Sequence, residues 1–398
     1  MLSAIMLVVA LCGAAAQPLY EAELIFPAEK FHNHSSTIVE TPQGDLLAAW
    51  FHGKGERNDD TLVISGARKK KGATTWSAPF LMADNKNLPD QNPVLFIDPG
   101  KTLWLFWISS MDNEVRGYFL KYRTSVDYEG DGAPNWKWQD AIFCQPRELE
   151  STYTGALDKM LASLQGTPGA ETNPQRAAAL EERKKMASQK LFQRLGWMPR
   201  QPPLMLNEKR MMLGLYSDVF SCSLAAFTED GGQTWEFSKP MILSSFGNIQ
   251  PAFVRKKNGN IVAFMRSGGR VRQIRRAESS DGGMNWTEVP LDIPNPGSSV
   301  AAVGLKDGNW VLVCNDTEGG RHIQTAYMSD DEGQTWKWKR HLENFADPKG
   351  NTASYPTVIQ TADGSIHCTY TFQDKAHFEG EVIKHARFDE AWIKAGDK

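Results

Sequence analysis

Apolar residues are grouped in paired short runs along the chain, and a turn separates the two runs of each pair. Six such pairs occur. Five of the turns are centred on a glycine, and the third in chain order contains Asn207 and Glu208 instead. Short apolar runs bounded by Gly, Asn or Asp are typical of strands joined as β-hairpins. The predicted hairpins cover residues 35–51, 92–108, 203–216, 250–265, 299–314 and 354–372.

A second repeat, Ser/Thr-x-Asp-x-Gly-x-x-Trp, is out of phase with the hairpins. It covers residues 228–235, 279–286 and 329–336, and its tryptophans are 51 and 50 residues apart. Degenerate copies end at Trp76 and Trp136. Aspartate hydrogen-bonds the backbone of its own turn, glycine adopts a positive φ, and tryptophan covers the base of the hairpin. These residues therefore indicate a structural turn and not a catalytic site.

The two repeats together predict the fold class. Six hairpins, five of them followed by an outer turn that ends in tryptophan, make six four-stranded units of about 50 residues each. Units of this size arranged radially form a β-propeller. The sequence thus predicts an all-β protein, a six-bladed β-propeller.

The stretch 146–203 interrupts this period. Its centre, residues 173–195, is rich in Ala, Glu, Lys, Arg and Gln and shows no strand alternation, so it is predicted to be helical. Pro174 suits a first helical turn. We expect a helical insertion between blades two and three, which serves either as a packing element or as a cap over a substrate.

Composition and charge exclude several functions. The 398 residues include 44 Lys and Arg against 47 Asp and Glu, so the formal net charge is -3 and no basic surface for nucleic acid is predicted. Residues 1–16 combine an apolar run with small residues up to Ala16, which is typical of a secretory signal peptide. No other segment is predicted to span a membrane. We therefore expect a secreted or periplasmic protein whose mature chain, 17–398, is the propeller.

Cysteine provides little chemistry. Four cysteines follow the leader, all far apart and with no CxxC pair, so a zinc ribbon is not expected. Cys222, Cys314 and Cys368 lie in apolar strand-like stretches and are predicted to be buried free thiols.

The three intact turn repeats resemble the Asp-box, or BNR, repeats of the sialidase superfamily, and the six hairpins resemble its layout over essentially the whole mature chain. The repeat is specific for the fold and weak for the activity, because it also occurs in other propellers. The resemblance implies a retaining glycosidase. Such an enzyme uses a tyrosine nucleophile activated by a glutamate, an aspartic acid/base and three arginines that bind a substrate carboxylate, without a cofactor.

Several positions match that machinery. The strand around Tyr355 resembles the nucleophile strand in blade six. Arg321 resembles the last arginine of the triad, and Arg270 or Arg272 the middle one. The loop 53–60 resembles the loop that carries the acid: Asp59 and Asp60 are the candidates, Glu56 is a third, and Arg57 is a candidate substrate contact.

Two positions depart from the family. The family opens blade one with Phe-Arg-Ile-Pro, whereas this chain has Phe-His-Asn-His at 31–34. In blade four Asn248 or Ile249 stands where the activating glutamate is expected, and Gln250 is a candidate substrate contact.

The histidines introduce different chemistry. His32 and His34 are two residues apart on a strand and project to the same side. With His52 they can form an acid/base site or a metal site, or they simply hydrogen-bond neighbouring backbone.

Three functions follow. The first is a secreted glycoside hydrolase that removes terminal acidic, sialic-acid-like sugars, with Tyr355 as nucleophile, Asp59 or Asp60 as acid/base and Arg270 and Arg321 as the carboxylate clamp. The second is a lyase on uronic-acid polysaccharide that uses His, Tyr and Arg. The third is a non-catalytic glycan-binding propeller. The expected partner in each case is a glycan with an acidic sugar, and no nucleotide-binding loop is present in the sequence.

Overall fold

The computed structural model of this protein describes residues 17–56, 59–164, 174–268 and 271–397. Within these residues 25 strands form six antiparallel sheets, and each sheet contains one of the six predicted hairpins. The six-bladed β-propeller is confirmed.

The blades follow one another along the chain. Blade one contains β2 (His32–Glu40), β3 (Leu46–Gly53), β4 (Val63–Lys69) and β5 (Phe80–Ala83). Blade two contains β6 (Asp90–Ile97), β7 (Leu103–Ser110), a 3-10 turn (Val115–Gly117), β8 (Tyr118–Ser125) and β9 (Trp138–Ala141). Blade three contains β10 (Met198–Pro199), β11 (Leu204–Met205), β12 (Met211–Ser217), β13 (Cys222–Thr228) and β14 (Glu236–Phe237).

The remaining blades have the same antiparallel pattern. Blade four contains β15 (Asn248–Arg255), β16 (Ile261–Ser267), β17 (Arg275–Ser279) and β18 (Thr287–Val289). Blade five contains β19 (Ala301–Gly304), β20 (Trp310–Cys314), β21 (Ile323–Ser329) and β22 (Trp338–Asn344). Blade six contains β23 (Thr352–Gln360), β24 (Ile366–Gln373), β25 (Val382–Phe388) and, as its outer strand, β1 (Tyr20–Leu24).

The hydrophobic core lies between neighbouring blades. Leu47 and Phe51 of blade one, for example, share a buried cluster with Leu105 and Trp107 of blade two. A central strand such as β7 is therefore covered on both faces and is a continuous apolar run rather than an alternating one. The cysteines at 144, 222, 314 and 368 are all buried free thiols, as predicted for the last three.

The repeated turn closes on its own side chains. Asp230 accepts hydrogen bonds from the backbone N–H (2.9 Å) and the hydroxyl (2.6 Å) of Thr234, and the indole of Trp235 donates to Gly232 O (3.0 Å). Gly232 has φ +89°, and a Cβ there would lie 3.0 Å from the Tyr122 hydroxyl. Glycine is therefore required at this position both for its backbone angle and for the space.

The stretch between β9 and β10 contains three helices, α1 (Leu149–Leu164), α2 (Pro174–Ser188) and α3 (Lys190–Arg194). β10 lies within the predicted insertion 146–203 and pairs with β12 of blade three. Tyr153 of α1 is buried and packs edge-on against Phe220 and Phe246 at 5.1 and 5.3 Å between ring centroids. The first helix thus packs on blade three. Among the described helices, none combines the length and apolar character needed to cross a membrane.

The propeller closes through its first strand, since β1 pairs with β25 and places Glu23 opposite His385. A chain of hydrogen bonds crosses this closure: His385 contacts Glu23 (3.1 Å) and His367 (2.9 Å), and His367 contacts the Ser365 hydroxyl (3.0 Å). Burial, with the nearby charges of His385 and Arg387, lowers the pKa of His367 to about 3. Burial also lowers the pKa of His385.

These buried histidines predict a loss of stability in mild acid. An unfolded histidine takes up a proton near pH 6.5, whereas folded His367 does so only near pH 3, so stability present above pH 6.5 is lost as the pH falls. For His367 alone the loss between pH 7.5 and pH 5 is about 2 kcal/mol. We expect the melting temperature to fall over this range and to fall less for His367→Gln. Equal losses in both proteins would contradict this assignment.

Candidate active site

Four inner strands share a local distortion near their first residues. Ser35, Asn92, Gln250 and Tyr355 have positive φ between 50° and 60°. Each is followed by a register shift in the pairing of β2, β6, β15 or β23. A bulge of this kind redirects side chains and is frequent beside active sites. Here it brings the last three of these side chains into one cavity.

The cavity lies at the propeller axis and has a volume of about 320 Å³. It is lined by residues from blades one, two, three, four and six and from the loop before β21. They are His32, His34, Glu56, Gln91, Asn92, Tyr118, Met198, Tyr216, Asp218, Gln250, Arg266, Arg321, Tyr355 and Glu381. Six predicted site residues are therefore brought together: His32, His34, Glu56, Gln250, Arg321 and Tyr355.

Tyr355 lies among cationic groups. Its hydroxyl accepts hydrogen bonds from Arg266 Nη1 (2.7 Å) and from Gln250 Nε2 (3.5 Å). The guanidinium of Arg321 lies 5.1 Å from the centroid of the Tyr355 ring, and the His34 ring lies 4.2 Å from it. Only 8% of the residue is exposed.

Two of the three tyrosines that line the cavity differ in acidity. Burial alone raises the pKa of Tyr355, but the charges of Arg266 and Arg321 and the Gln250 hydrogen bond outweigh burial, so its pKa is lowered from 10.0. Burial, together with the charge of Asp218, raises the pKa of Tyr216 far above 10.0. Of these two tyrosines Tyr355 therefore ionises first. Pairs of groups with divergent pKa values mark the acid and base positions of active sites.

Sequence reasoning missed two arginines of this site. It placed the middle arginine at Arg270 or Arg272. Arg270 lies outside the described residues, and Arg272 is exposed and donates to Pro296 O (3.2 Å). Arg266, at the end of β16, is the arginine that reaches Tyr355. The other arginine is Arg200 of blade three, which is only 1% exposed and lies 5.2 Å below the Tyr355 ring.

Arg200 connects three blades. Its Nη2 donates to Tyr355 O (2.5 Å) and Pro356 O (3.0 Å), and its Nη1 donates to Ser36 O (3.2 Å) and to the Thr357 hydroxyl (3.2 Å). Burial, only partly offset by nearby groups such as Tyr355, lowers the pKa of Arg200 to about 10, which leaves it charged at neutral pH. It holds the bulge of Tyr355 in place.

The activating position is also corrected. Asn248 turns away from the cavity and donates to Met241 O (2.6 Å). The side chain next to the Tyr355 hydroxyl is Gln250, an amide that has no charge and cannot take a proton. A repeated sequence feature could have identified the residues that enter the cavity from the bulges. Asn92, Gln250 and Tyr355 each precede a proline near the start of an inner strand.

The aspartates predicted as the acid do not line the cavity. Asp59 accepts from Lys54 N (2.7 Å), Thr61 N (3.0 Å) and the Thr61 hydroxyl (2.6 Å). Burial is the largest single influence and raises the pKa of Asp59, but these hydrogen bonds together outweigh it and leave the pKa lowered, which is unsuited to a proton donor. Asp60 is exposed and accepts from Asn113 (2.9 Å). Arg57 lies outside the described residues, and Glu56 is the carboxylate of this loop that lines the cavity.

The histidines divide into two groups. His32 Nδ1 lies 2.6 Å and His34 Nδ1 lies 3.7 Å from the same oxygen of Glu381. His52 does not join them, because Asn33 (2.9 Å) and Glu29 (3.2 Å) hold its ring on the other side of β2. Burial, reinforced by the charges of His32 and Arg321, lowers the pKa of His34 well below 6.5 and keeps this ring neutral near pH 7.

The six blades and their tryptophan turns define a propeller of the BNR-repeat class. The chain belongs to the BNR repeat-like domain family, whose model matches residues 44–150 and 179–368. No curated protein matches the sequence.

Solved structures share the fold at low identity. A protein of unknown function from Dyadobacter fermentans is 17% identical, with a TM-score of 0.66 and coverage of 93% of this chain and 98% of its own. The leech intramolecular trans-sialidase complexed with 2,7-anhydro-Neu5Ac is 14% identical, with a TM-score of 0.67 and coverage of 94% and 71%. The intramolecular trans-sialidase from Ruminococcus gnavus, in complex with oseltamivir carboxylate, is 14% identical, with a TM-score of 0.64 and coverage of 91% and 95%. At these identities the similarity shows the fold alone.

Proposed function

We propose that this protein is a secreted exo-glycosidase that hydrolyses terminal acidic sugars from glycans. The observation that carries the proposal is the placement of Tyr355 in the axial cavity, where Arg266 donates to its hydroxyl (2.7 Å) and Arg321 lies over its ring. These charges lower the pKa of Tyr355. Arginines favour a carboxylate because the guanidinium is permanently charged and binds it in two-point geometry. The solved relative bound to oseltamivir carboxylate is in keeping with such a ligand.

The proposed reaction has two steps. The Tyr355 oxygen attacks the anomeric carbon as the glycosidic bond breaks, and the leaving oxygen takes the proton of Glu56. Water then attacks the tyrosyl glycoside after giving its proton to the Glu56 carboxylate, which releases the sugar and restores Tyr355. Arg266 and Arg321 hold the substrate carboxylate during both steps. Glu56 is assigned the acid/base role because it lines the cavity and its charge reaches Tyr355.

A second candidate rests on Gln250. Because this amide cannot take the proton of Tyr355, the tyrosine depends on the arginine charges for its ionisation. An ionised tyrosine beside arginine is also a base suited to remove the proton next to a uronate carboxylate, which would make the protein a lyase.

One panel of substrates separates these functions. The mature chain, 17–398, is incubated with 4-methylumbelliferyl sialic acid and with uronate polysaccharides. Release of the fluorophore supports the glycosidase. Ultraviolet absorbance from an unsaturated uronate product would instead support the lyase. Glycan binding without turnover of any substrate would favour a non-catalytic propeller. The predicted leader, 1–16, lies outside the described residues, so export is part of the proposal.

Glu56→Gln is expected to lower turnover of a natural glycoside by about 100-fold or more, since general acid catalysis contributes about 10²–10⁴-fold. The loss should be smaller for the aryl glycoside, whose leaving group needs no protonation. Asp60→Asn is the matched control in the same loop, and its rates should equal those of the unmodified protein. If Asp60→Asn loses activity and Glu56→Gln does not, the acid has been assigned to the wrong residue.

A further inference from the structure

The strongest unexplained feature of the cavity is the convergence of three ligand-type atoms on its rim between blades one and six. Nδ1 of His32, Nδ1 of His34 and Oε2 of Glu381 all lie within 4.8 Å of one another. His34 Nδ1 is buried and makes no hydrogen bond with any described residue, and the buried Glu381 Oε2 faces the ring nitrogens of His32 (2.6 Å) and His34 (3.7 Å). His34 is itself only 5% exposed. A buried ring nitrogen without a hydrogen bond is costly, so the arrangement points to a missing ligand.

We propose that His32, His34 and Glu381 bind a divalent transition-metal ion of the zinc class. Two imidazoles and one carboxylate form a known set of zinc ligands, and they leave a fourth position for water or substrate. Ligands at about 2.0–2.1 Å from a tetrahedral zinc are separated from one another by about 3.3 Å. The two measured separations from Glu381, 2.6 and 3.7 Å, fall on either side of that value.

The backbone around these side chains is built for close approach. Asn33 lies between the two histidines in sequence and projects to the opposite face of β2. Its side-chain oxygen accepts from the Trp50 indole (2.9 Å), and its side-chain nitrogen donates to Glu381 O (2.9 Å). Glu381 N donates to Phe31 O (3.1 Å). The preceding residue is Gly380, and a Cβ there would collide with Glu29 O and Phe31 O. Glycine at this position is what allows Glu381 to lie against β2.

The position of the ion follows from the cavity lining. All three ligands line the cavity that contains Tyr355, so the open coordination position faces the substrate space. A bound zinc ion there would supply a Lewis acid and would lower the pKa of a coordinated water to about 7. Because the ligands come from β2 and from the residue before β25, the ion would also bridge the first and last blades. This inference concerns the cavity of the proposed function, but it does not depend on which glycan is cleaved.

Zinc binding is measured directly on the whole mature chain. After dialysis against a chelator, titration calorimetry with zinc sulfate is expected to give one zinc ion per chain, with a rise in melting temperature. Cobalt(II) should give the intense visible absorption of a tetrahedral site. A protein that binds no zinc and shows no such absorption would overturn the proposal and would leave an ordinary His–Glu contact.

Variants locate the site. Glu381→Gln keeps the shape of the side chain but removes its charge, and it is expected to weaken zinc binding by at least ~100-fold, the upper end of what loss of an outer-shell partner costs. His377→Gln is the matched control, since His377 is an exposed histidine paired with Asp374 at 2.8 Å. Equal zinc affinity in Glu381→Gln and His377→Gln would place the metal elsewhere and overturn the assignment.

The inference and the proposed function fail separately. An enzyme that is fully active but binds no zinc removes only the metal site. Stoichiometric zinc binding without turnover of any glycan in the panel removes the glycosidase and the lyase and leaves the metal site standing.

Discussion

Tyr355→Phe is expected to lower turnover by at least about 100-fold with little change in stability, because it removes only the oxygen that attacks the sugar. The hydroxyl is hydrogen-bonded by Arg266 and Gln250, and Gln250 also donates to the Tyr216 hydroxyl (3.2 Å), so this amide keeps a partner in the variant. The measurement is kcat on the substrate that the panel identifies, with the melting temperature recorded beside it. A variant that folds and retains full turnover would remove Tyr355 from the mechanism.

The matched control is Tyr128→Phe. Tyr128 is also a buried tyrosine, and its hydroxyl donates to Lys101 O (2.8 Å). It lies in blade two, outside the cavity. Its loss is expected to cost about 1 kcal/mol of stability and no turnover.

The pH profile adds a signature that a structural role would not show. The aryl glycoside is the substrate for this test, because its leaving group needs no proton from Glu56. Because the pKa of Tyr355 is lowered from 10.0, a reaction of this substrate that needs the ionised tyrosine gains rate as the pH rises and levels off below pH 10. Arg266 is the strongest of the groups that oppose burial. Arg266→Met should therefore move the rising limb of the profile to higher pH. A profile unchanged by Arg266→Met would contradict the role of this arginine in lowering the pKa of Tyr355.

Arg200→Met is expected to cost about 3 kcal/mol or more of unfolding free energy, the second large effect. The substitution removes four hydrogen bonds from a charged donor, three to backbone carbonyls and one to a hydroxyl, at the junction of blades one, three and six. Pro356 O and Ser36 O each keep a second donor, Gln201 (3.0 Å) and the Thr357 hydroxyl (2.8 Å). Each hydrogen bond to a charged group contributes about 1.5–3 kcal/mol, part of which is recovered because the cost of burying the guanidinium disappears. The measurement is the unfolding free energy from a guanidinium titration.

The control for Arg200 is Arg272→Met. Arg272 also donates to a backbone carbonyl, Pro296 O at 3.2 Å, but it does so in solvent. We expect its effect to stay within about 0.5 kcal/mol. A loss for Arg200→Met as small as that of the control would show that Arg200 does not hold the three blades together.

The sequence alone determined the fold, because every signal for it is local. The turns at Gly44, Gly100, Gly259, Gly308 and Gly364, and the tryptophan turns that follow them, depend on residues within a few positions of one another. Their constant spacing then required a radial arrangement. Tyr355 and Arg321 were also found from short stretches, and both lie at the cavity.

The sequence did not show which carboxylate of the loop 53–60 faces the cavity, because an aspartate can also stabilise the turn that contains it. Asp59 lies in the loop expected to carry the acid, but its carboxylate is occupied by the N–H groups of its own turn. Glu56, three residues earlier, lines the cavity. A difference of three residues along a loop decides which carboxylate faces the axis, and only the path of the backbone shows it.

The tertiary structure decided the contents of the site. Arg200, Arg266 and Glu381 come from blades three, four and six, and no spacing in the sequence relates them. They meet because the inner strands converge on one axis and because bulges turn their side chains inward. The charges that lower the pKa of Tyr355 come from residues 89 and 34 positions away along the chain. Electrostatic interactions depend on distance in space, so the chemistry of this tyrosine existed only once the propeller had closed.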